Sequence, residues 1–194
     1  MKNQLKAMFT KAEFYMLTQY KVGKIYDMMM GETLQVYMYW CNMVWNRLSI
    51  PRRRFISWLV VQHRSQTTEK LARIGVSSSL ACVICDQGDE IHKHLFSECP
   101  YIKISLLETK SWFGITVATQ SLNRLIVWID RSKKSKFRKN VWHANIYAFV
   151  YSVWRCKNDS YWQDLITRPH FLTDNCKRVV KERIRVVLPT IMAR

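Results

Sequence analysis

The chain has 194 residues and a mass of 23.2 kDa, enough for one ordinary domain or one domain with a short appendage. Its 48% hydrophobic and 13% aromatic content excludes a disordered, solvating chain, and five glycines and four prolines are too few for a turn-rich β-sandwich. Thirty-one basic against fourteen acidic side chains leave +17, a balance that attracts polyanions such as nucleic acid or an acidic membrane surface.

The first residues, MKNQLKAMFTKAEF, hold no apolar block and no small-residue cleavage site, so no secretory signal is expected. Synthesis in a reducing compartment then makes the six cysteines thiols or metal ligands rather than a disulfide framework. Residues 33–48 are crowded with large apolar groups and read as deeply buried, or as a strand leading into a helix. Pro51 fits the first turn of a helix in which Phe55, Trp58 and Leu59 share a face. Thr67 reads as an N-cap, followed by a short helix that Gly75 ends. Residues 76–99 are short, polar and rich in Cys and His. Pro100 opens another helical stretch with Ile102, Leu106 and Leu107.

The run RSKKSKFRK, 131–139, holds six Lys or Arg in nine residues and flows into an apolar stretch, Val141 to Trp154. That stretch contains His143 and Asn145 and falls short of the about 20 residues of a spanning helix, so no membrane is expected. Residues 133–157 read as one long helix, basic at its start, with Val141, Asn145, Ala148, Phe149 and Trp154 near one face. A last amphipathic stretch, 171–188, puts Leu172, Cys176, Val179, Val180, Ile184 and Val187 inward and its basic residues outward, and Pro189 is expected to stop it. Trp40, Trp45, Trp58, Trp142 and Trp154 are expected inside. Charge is shared unevenly: residues 1–100 carry 13 bases and 8 acids (+5), residues 101–194 carry 18 and 6 (+12).

The chemistry-bearing stretch is ACVICDQGDEIHKHLFSECP. Cys82, Cys85, His94 and Cys99 are spaced C-x2-C-x8-H-x4-C. Zinc favours a tetrahedron of soft or borderline donors, and Cys3His is a standard closed set. A two-residue gap lets one tight turn aim two thiolates at one ion, and Asp86, Gly88 and Asp89 let the chain reverse. His94 and Cys99 would lie roughly 140° apart on a continuous α-helix, so the chain is expected to leave the helix between them. His92 is a competing ligand. Four protein donors leave no open position, so a structural Zn2+ is expected rather than a hydrolytic one. Cys41, Cys156 and Cys176 sit among apolar neighbours and read as buried thiols. His63, His143 and His170 are scattered and read as surface or satisfied core.

Residues 20–112 resemble the zinc-binding domain at the C-terminal end of plant LINE-type (non-LTR) reverse transcriptases. The resemblance rests on KVGKIYDMM, on VWNRLSIPRRRFISWLVVQHRSQTTEKLARIGV and on CVICDQGDEIHKHLFSEC, with His94 to Pro100 its most specific block. It covers roughly half the chain, favours His94 over His92, and carries Cys82, Cys85, His94 and Cys99 over as zinc ligands. The segment Tyr151-Ser152-Val153-Trp154-Arg155-Cys156-Lys157-Asn158 also fits, except that Lys157 stands where arginine is usual. No Asp-Asp pair is present, so the polymerase metal site of such enzymes is missing. The resemblance implies a detached C-terminal fragment of a retroelement.

These readings converge on a mainly α fold with a small irregular Cys3His zinc-binding loop and at most a short strand pair. A zinc-binding domain at 20–112 would be preceded by a lead-in at 1–19 and followed by a basic helical extension at 113–194. The expected function is a zinc-stabilised accessory module that binds RNA or DNA through phosphates and lacks polymerase activity. Arg52, Arg53, Arg54, Lys133, Lys134, Lys136, Arg138 and Lys139 are the phosphate-contact candidates, with a retroelement polymerase as a further partner. The alternative is a non-catalytic interaction fragment that binds no nucleic acid. No phosphate loop, paired-carboxylate signature or nucleophile motif points to an enzyme. The basic run reads as a weak import-like signal, so a nuclear or cytoplasmic location is expected rather than secretion.

Overall fold

Pro51 begins the first described helix at the position where its missing N–H costs no hydrogen bond. In the computed structural model this helix, α1, spans Pro51–Val61. The structure describes residues 47–192, and side chains as far as 187. The expected lead-in at 1–19, the segment KVGKIYDMM at 21–29 and the part 33–46 of the apolar stretch, with Trp40, Cys41 and Trp45, lie outside the described residues.

The face of α1 differs from expectation. Ile56, Ser57 and Val60 are buried, Trp58 and Leu59 are half-buried, and Phe55 is exposed. The helix is turned so that Arg53 reaches Tyr151 on a later helix while Ile56 and Val60 enter the core. Thr67 then caps α2 (Thr68–Arg73), its hydroxyl accepting the Lys70 N–H at 3.4 Å. Gly75 ends α2 in the left-handed region (φ +74°). Its N–H donates to Ala72 and that of Val76 to Leu71, the paired bonds of a Schellman cap.

After the Cys- and His-rich loop comes α3 (Pro100–Trp112), which turns Ile102, Ser105, Leu106 and Thr109 inward and leaves Leu107 outside. A fourth helix, α4 (Leu122–Arg131), was not anticipated from the sequence. Its signal was there: Leu122, Leu125, Ile126 and Ile129 recur at i, i+3, i+4 and i+7 and are all buried. The basic run that follows is not one element. Arg131 ends α4, and residues 132–134 form a bend.

The long helix, α5, begins at Lys136 instead of residue 133 and reaches Gln163, past the expected end at 157. Ser135 sets its start by accepting the Arg138 N–H at 3.3 Å. The expectation of one apolar face is also corrected: Trp142 to Val150 are buried without a break. A helix buried all round belongs at the centre of a core, and α1, α4 and the last helix, α6 (Pro169–Met192), all pack on α5. Trp142 is buried and stacks on Trp128 of α4, with centroids 5.5 Å apart, while Trp58 and Trp154 are half-buried.

α6 also packs on α3 and buries Leu172, Cys176, Val179 and Val180 as expected, with Ile184 and Val187 half-buried. Pro189 does not stop it, since the helix continues to Met192. So near a helix end the proline removes a single bond, to the carbonyl of residue 185, and the turns upstream are already anchored in the core. Among the described residues the architecture is helical without a strand. The one β-type pairing among them is an isolated antiparallel bridge between Ala81 and Asp89.

Candidate metal centre

The loop between α2 and α3 is built to converge four side chains. The Cys82 N–H donates to the Gly88 carbonyl at 3.0 Å, and the Asp86 N–H donates to the Cys82 carbonyl at 2.8 Å. This closes a tight knuckle around Cys82 and Cys85. It needs two left-handed residues, Asp86 (φ +53°) and Gly88 (φ +71°), residue types that tolerate that region. The Ala81–Asp89 bridge then returns the chain toward the helical entry at Ile91, whose carbonyl accepts the Leu95 N–H at 3.0 Å.

His94 and Cys99 are aligned by a device the sequence reading did not foresee. Residues His94–Glu98 form a π-helical turn, and the Cys99 N–H donates to the His94 carbonyl at 2.8 Å, an i→i+5 bond. The chain does not leave the helix between them. It widens, so that residue i+5 returns near residue i instead of falling far round the axis. Pro100 then starts α3 directly behind Cys99.

The ligating atoms of Cys82, Cys85, His94 and Cys99 all lie within 4.8 Å of one another. Cys85 Sγ is 3.4 Å from His94 Nε2, which turns that ring nitrogen toward the cluster. Zinc bond lengths imply tetrahedral edges of about 3.5–3.8 Å between such donors, so the longest separation would close by about 1 Å around the ion. Cys82 and Cys99 are fully buried, Cys85 and His94 half-buried, and Leu95 and Phe96 seal the inner side. The Cys82 thiol is pushed up chiefly by its hydrogen bond with Cys99, and the same bond holds Cys99 below the usual cysteine range. Burial pushes Cys85 up.

His92, the competing ligand, is engaged elsewhere. Its Nε2 lies 2.7 Å from the Val60 carbonyl, and its ring packs between His63 and Phe96. Cys156 and Cys176 are buried beside the Tyr101 and Ser152 hydroxyls. His63 and His170 are exposed, while His143 is buried in α5.

Residue spacing does not reveal how α5 holds the loop from outside. Lys157, almost fully buried, lies 3.7 Å from the buried Glu90 carboxylate, which accepts the Thr68 N–H of α2 at 2.8 Å. The Lys157 ammonium also faces the Tyr161 ring at 5.0 Å. Ser160 donates to the Val83 carbonyl at 2.6 Å and Tyr161 to the Val76 carbonyl at 3.2 Å.

The basic candidates fall in two places. Arg52 is exposed and Arg53 and Arg54 are half-buried at the start of α1. Lys133, Lys134, Lys136 and Arg138 are exposed around the start of α5, and Arg138 lies over the Trp142 ring at 5.3 Å. Lys139 is half-buried and donates to the Asp130 carbonyl at 2.6 Å.

A helical core carrying a closed thiolate–imidazole cluster defines a metal-knuckle type of domain. Residues 20–104 match the family described as zinc-binding in reverse transcriptase, and all four cluster residues lie within that stretch. The match supports a reverse transcriptase zinc-binding domain there. No curated protein and no solved structure matches the chain.

Proposed function

We propose that this protein is a zinc-stabilised, nucleic-acid-binding accessory module of reverse-transcriptase descent, without polymerase activity of its own. The observation that carries the reading is the convergence of Cys82, Cys85, His94 and Cys99 inside the matched stretch. When bound, Zn2+ would supply cross-linking energy, holding the knuckle and the π turn together. Four protein donors leave it no open position for a reacting water. The charge of +17 supports attraction to phosphates, and the absence of an Asp-Asp pair supports the lack of a polymerase metal site. Descent from a plant LINE element, as a detached fragment, rests on the motif resemblance of residues 20–112.

Two measurements test the reading. Elemental analysis of the purified chain should give about one zinc per molecule, and Cys82→Ser with Cys99→Ser should abolish it. Retention of metal by that double variant overturns the ligand assignment. Labelled single-stranded RNA and DNA should bind at low salt, with affinity falling steeply as salt rises. No binding at low salt would leave the interaction-fragment reading in its place.

A further inference from the structure

The sequence offers its positive charge as linear runs, but the fold assembles a different group. Arg53 of α1, Arg155 of α5 and Arg178 and Arg183 of α6 line one cleft of about 410 Å³ around Tyr151. One carboxylate, Glu182, shares the lining and is held by Arg178 at 3.2 Å. Four arginines less one glutamate leave +3 in the walls.

We infer that this cleft between α1, α5 and α6 is a phosphodiester-binding site for single-stranded nucleic acid. The inference rests on the nucleic-acid reading above and names its site. Its volume lies within the range of small-ligand sites, whereas Lys133, Lys134, Lys136 and Arg138 around the start of α5 stand exposed. Charge of one sign between low-dielectric walls focuses the field on an anion.

The guanidiniums are held in place rather than left to wander. Those of Arg52 and Arg53 lie over the Tyr151 ring at 5.8 and 5.7 Å. Arg178 also donates to the Asn175 amide oxygen at 2.8 Å, and Arg183 donates to the Arg47 carbonyl at 3.2 Å. The buried Nε of Arg183 has no partner among the described residues. Arg155 uses its Nε on Asp159 at 3.3 Å, and a guanidinium carries further N–H groups for a phosphate. Half-buried Arg53 has its pKa lowered chiefly by desolvation, and the negative charge of a bound phosphate would favour its charged form. Tyr151 and Arg155 are four apart on α5 and so share its cleft face.

The test is fluorescence anisotropy of the full chain with labelled 12-mers of single-stranded RNA and DNA, titrated over a salt series. Arg155→Gln with Arg178→Gln removes two exposed cleft cations. Lys134→Gln with Lys136→Gln removes two from the run. The cleft pair should weaken binding about tenfold or more at low salt and reduce the salt slope by about 1.4, two single-strand phosphate contacts. The run pair should change affinity no more than about threefold. Arg178→Lys keeps the charge and should recover part of the loss relative to Arg178→Gln, with unchanged circular dichroism and zinc content in every variant. If the run pair weakens binding as much as the cleft pair, or the cleft pair leaves it unchanged, the cleft assignment is overturned. A wild-type chain that binds neither oligonucleotide overturns the nucleic-acid reading itself.

Discussion

Lys157 shows how one side chain ties two parts of the molecule together. Its ammonium and the Glu90 carboxylate are both nearly inaccessible, and one Glu90 oxygen serves both Lys157 and the Thr68 N–H. Burial lowers the Lys157 pKa, and Glu90 offsets part of that shift. Removing one partner of such a pair strands the other charge. Lys157→Met should therefore cost about 3–5 kcal/mol in urea unfolding, while Lys157→Met with Glu90→Gln should recover most of it. Equal losses in both variants would show that the pair is not coupled. His143 gives a second, pH-dependent signature. Burial in α5 outweighs the nearby Asp130 and the Ile126 carbonyl and lowers its pKa to about 4. The unfolded chain then binds the extra proton between about pH 6.5 and 4, so stability falls as pH falls through that window and is flat above it. The loss approaches about 3 kcal/mol. His143→Gln, compared with wild type at pH 7 and pH 5, should lose that part of the slope.

The loop between α2 and α3 owes its shape to two unusual backbone features, the left-handed pair at Asp86 and Gly88 and the π turn at His94–Glu98. A Cβ at residue 88 would meet nothing within 4 Å, so Gly88→Ala tests conformation alone. It should cost about 1 kcal/mol, with a matching loss of zinc affinity. Unchanged zinc affinity would show that the knuckle tolerates another backbone path. A π turn is a weak local structure, and the metal would be its main cross-link. Chelation should strip hydrogen-exchange protection from residues 76–100 before it touches the centre of α5. Protection that survives in 76–100 would mean that the contacts from Lys157, Ser160 and Tyr161 hold the loop without an ion.

The family match ends at residue 104, but the core does not. α1 packs on α5, α3 packs on α6, and the buried cluster runs from Ile56 through Tyr147 to Val180. A chain cut after residue 112 would expose the faces that α5 and α6 now cover. It should lose cooperative thermal unfolding even with zinc present, since metal cannot replace that apolar burial. A sharp transition in the truncated chain would show that residues 1–112 carry a sufficient core of their own.

Much was readable from order alone. Thr67 and Gly75 bounded α2 because caps and left-handed glycines act within a turn, and Pro51 and Pro100 marked helix starts for the same local reason. The four donor residues were legible because ligand spacing is short-range chemistry. The inner face of α6 followed its period, and α4 was missed although its period was present. Other features required the folded chain. The rotation of α1, the all-round burial of α5 and the passage of α6 through Pro189 depend on what each helix packs against. The Lys157–Glu90 pair and the arginine cleft join residues far apart in order, and spacing carries no information about such neighbours. Local backbone chemistry is written residue by residue, whereas packing and charge grouping arise only when distant segments meet.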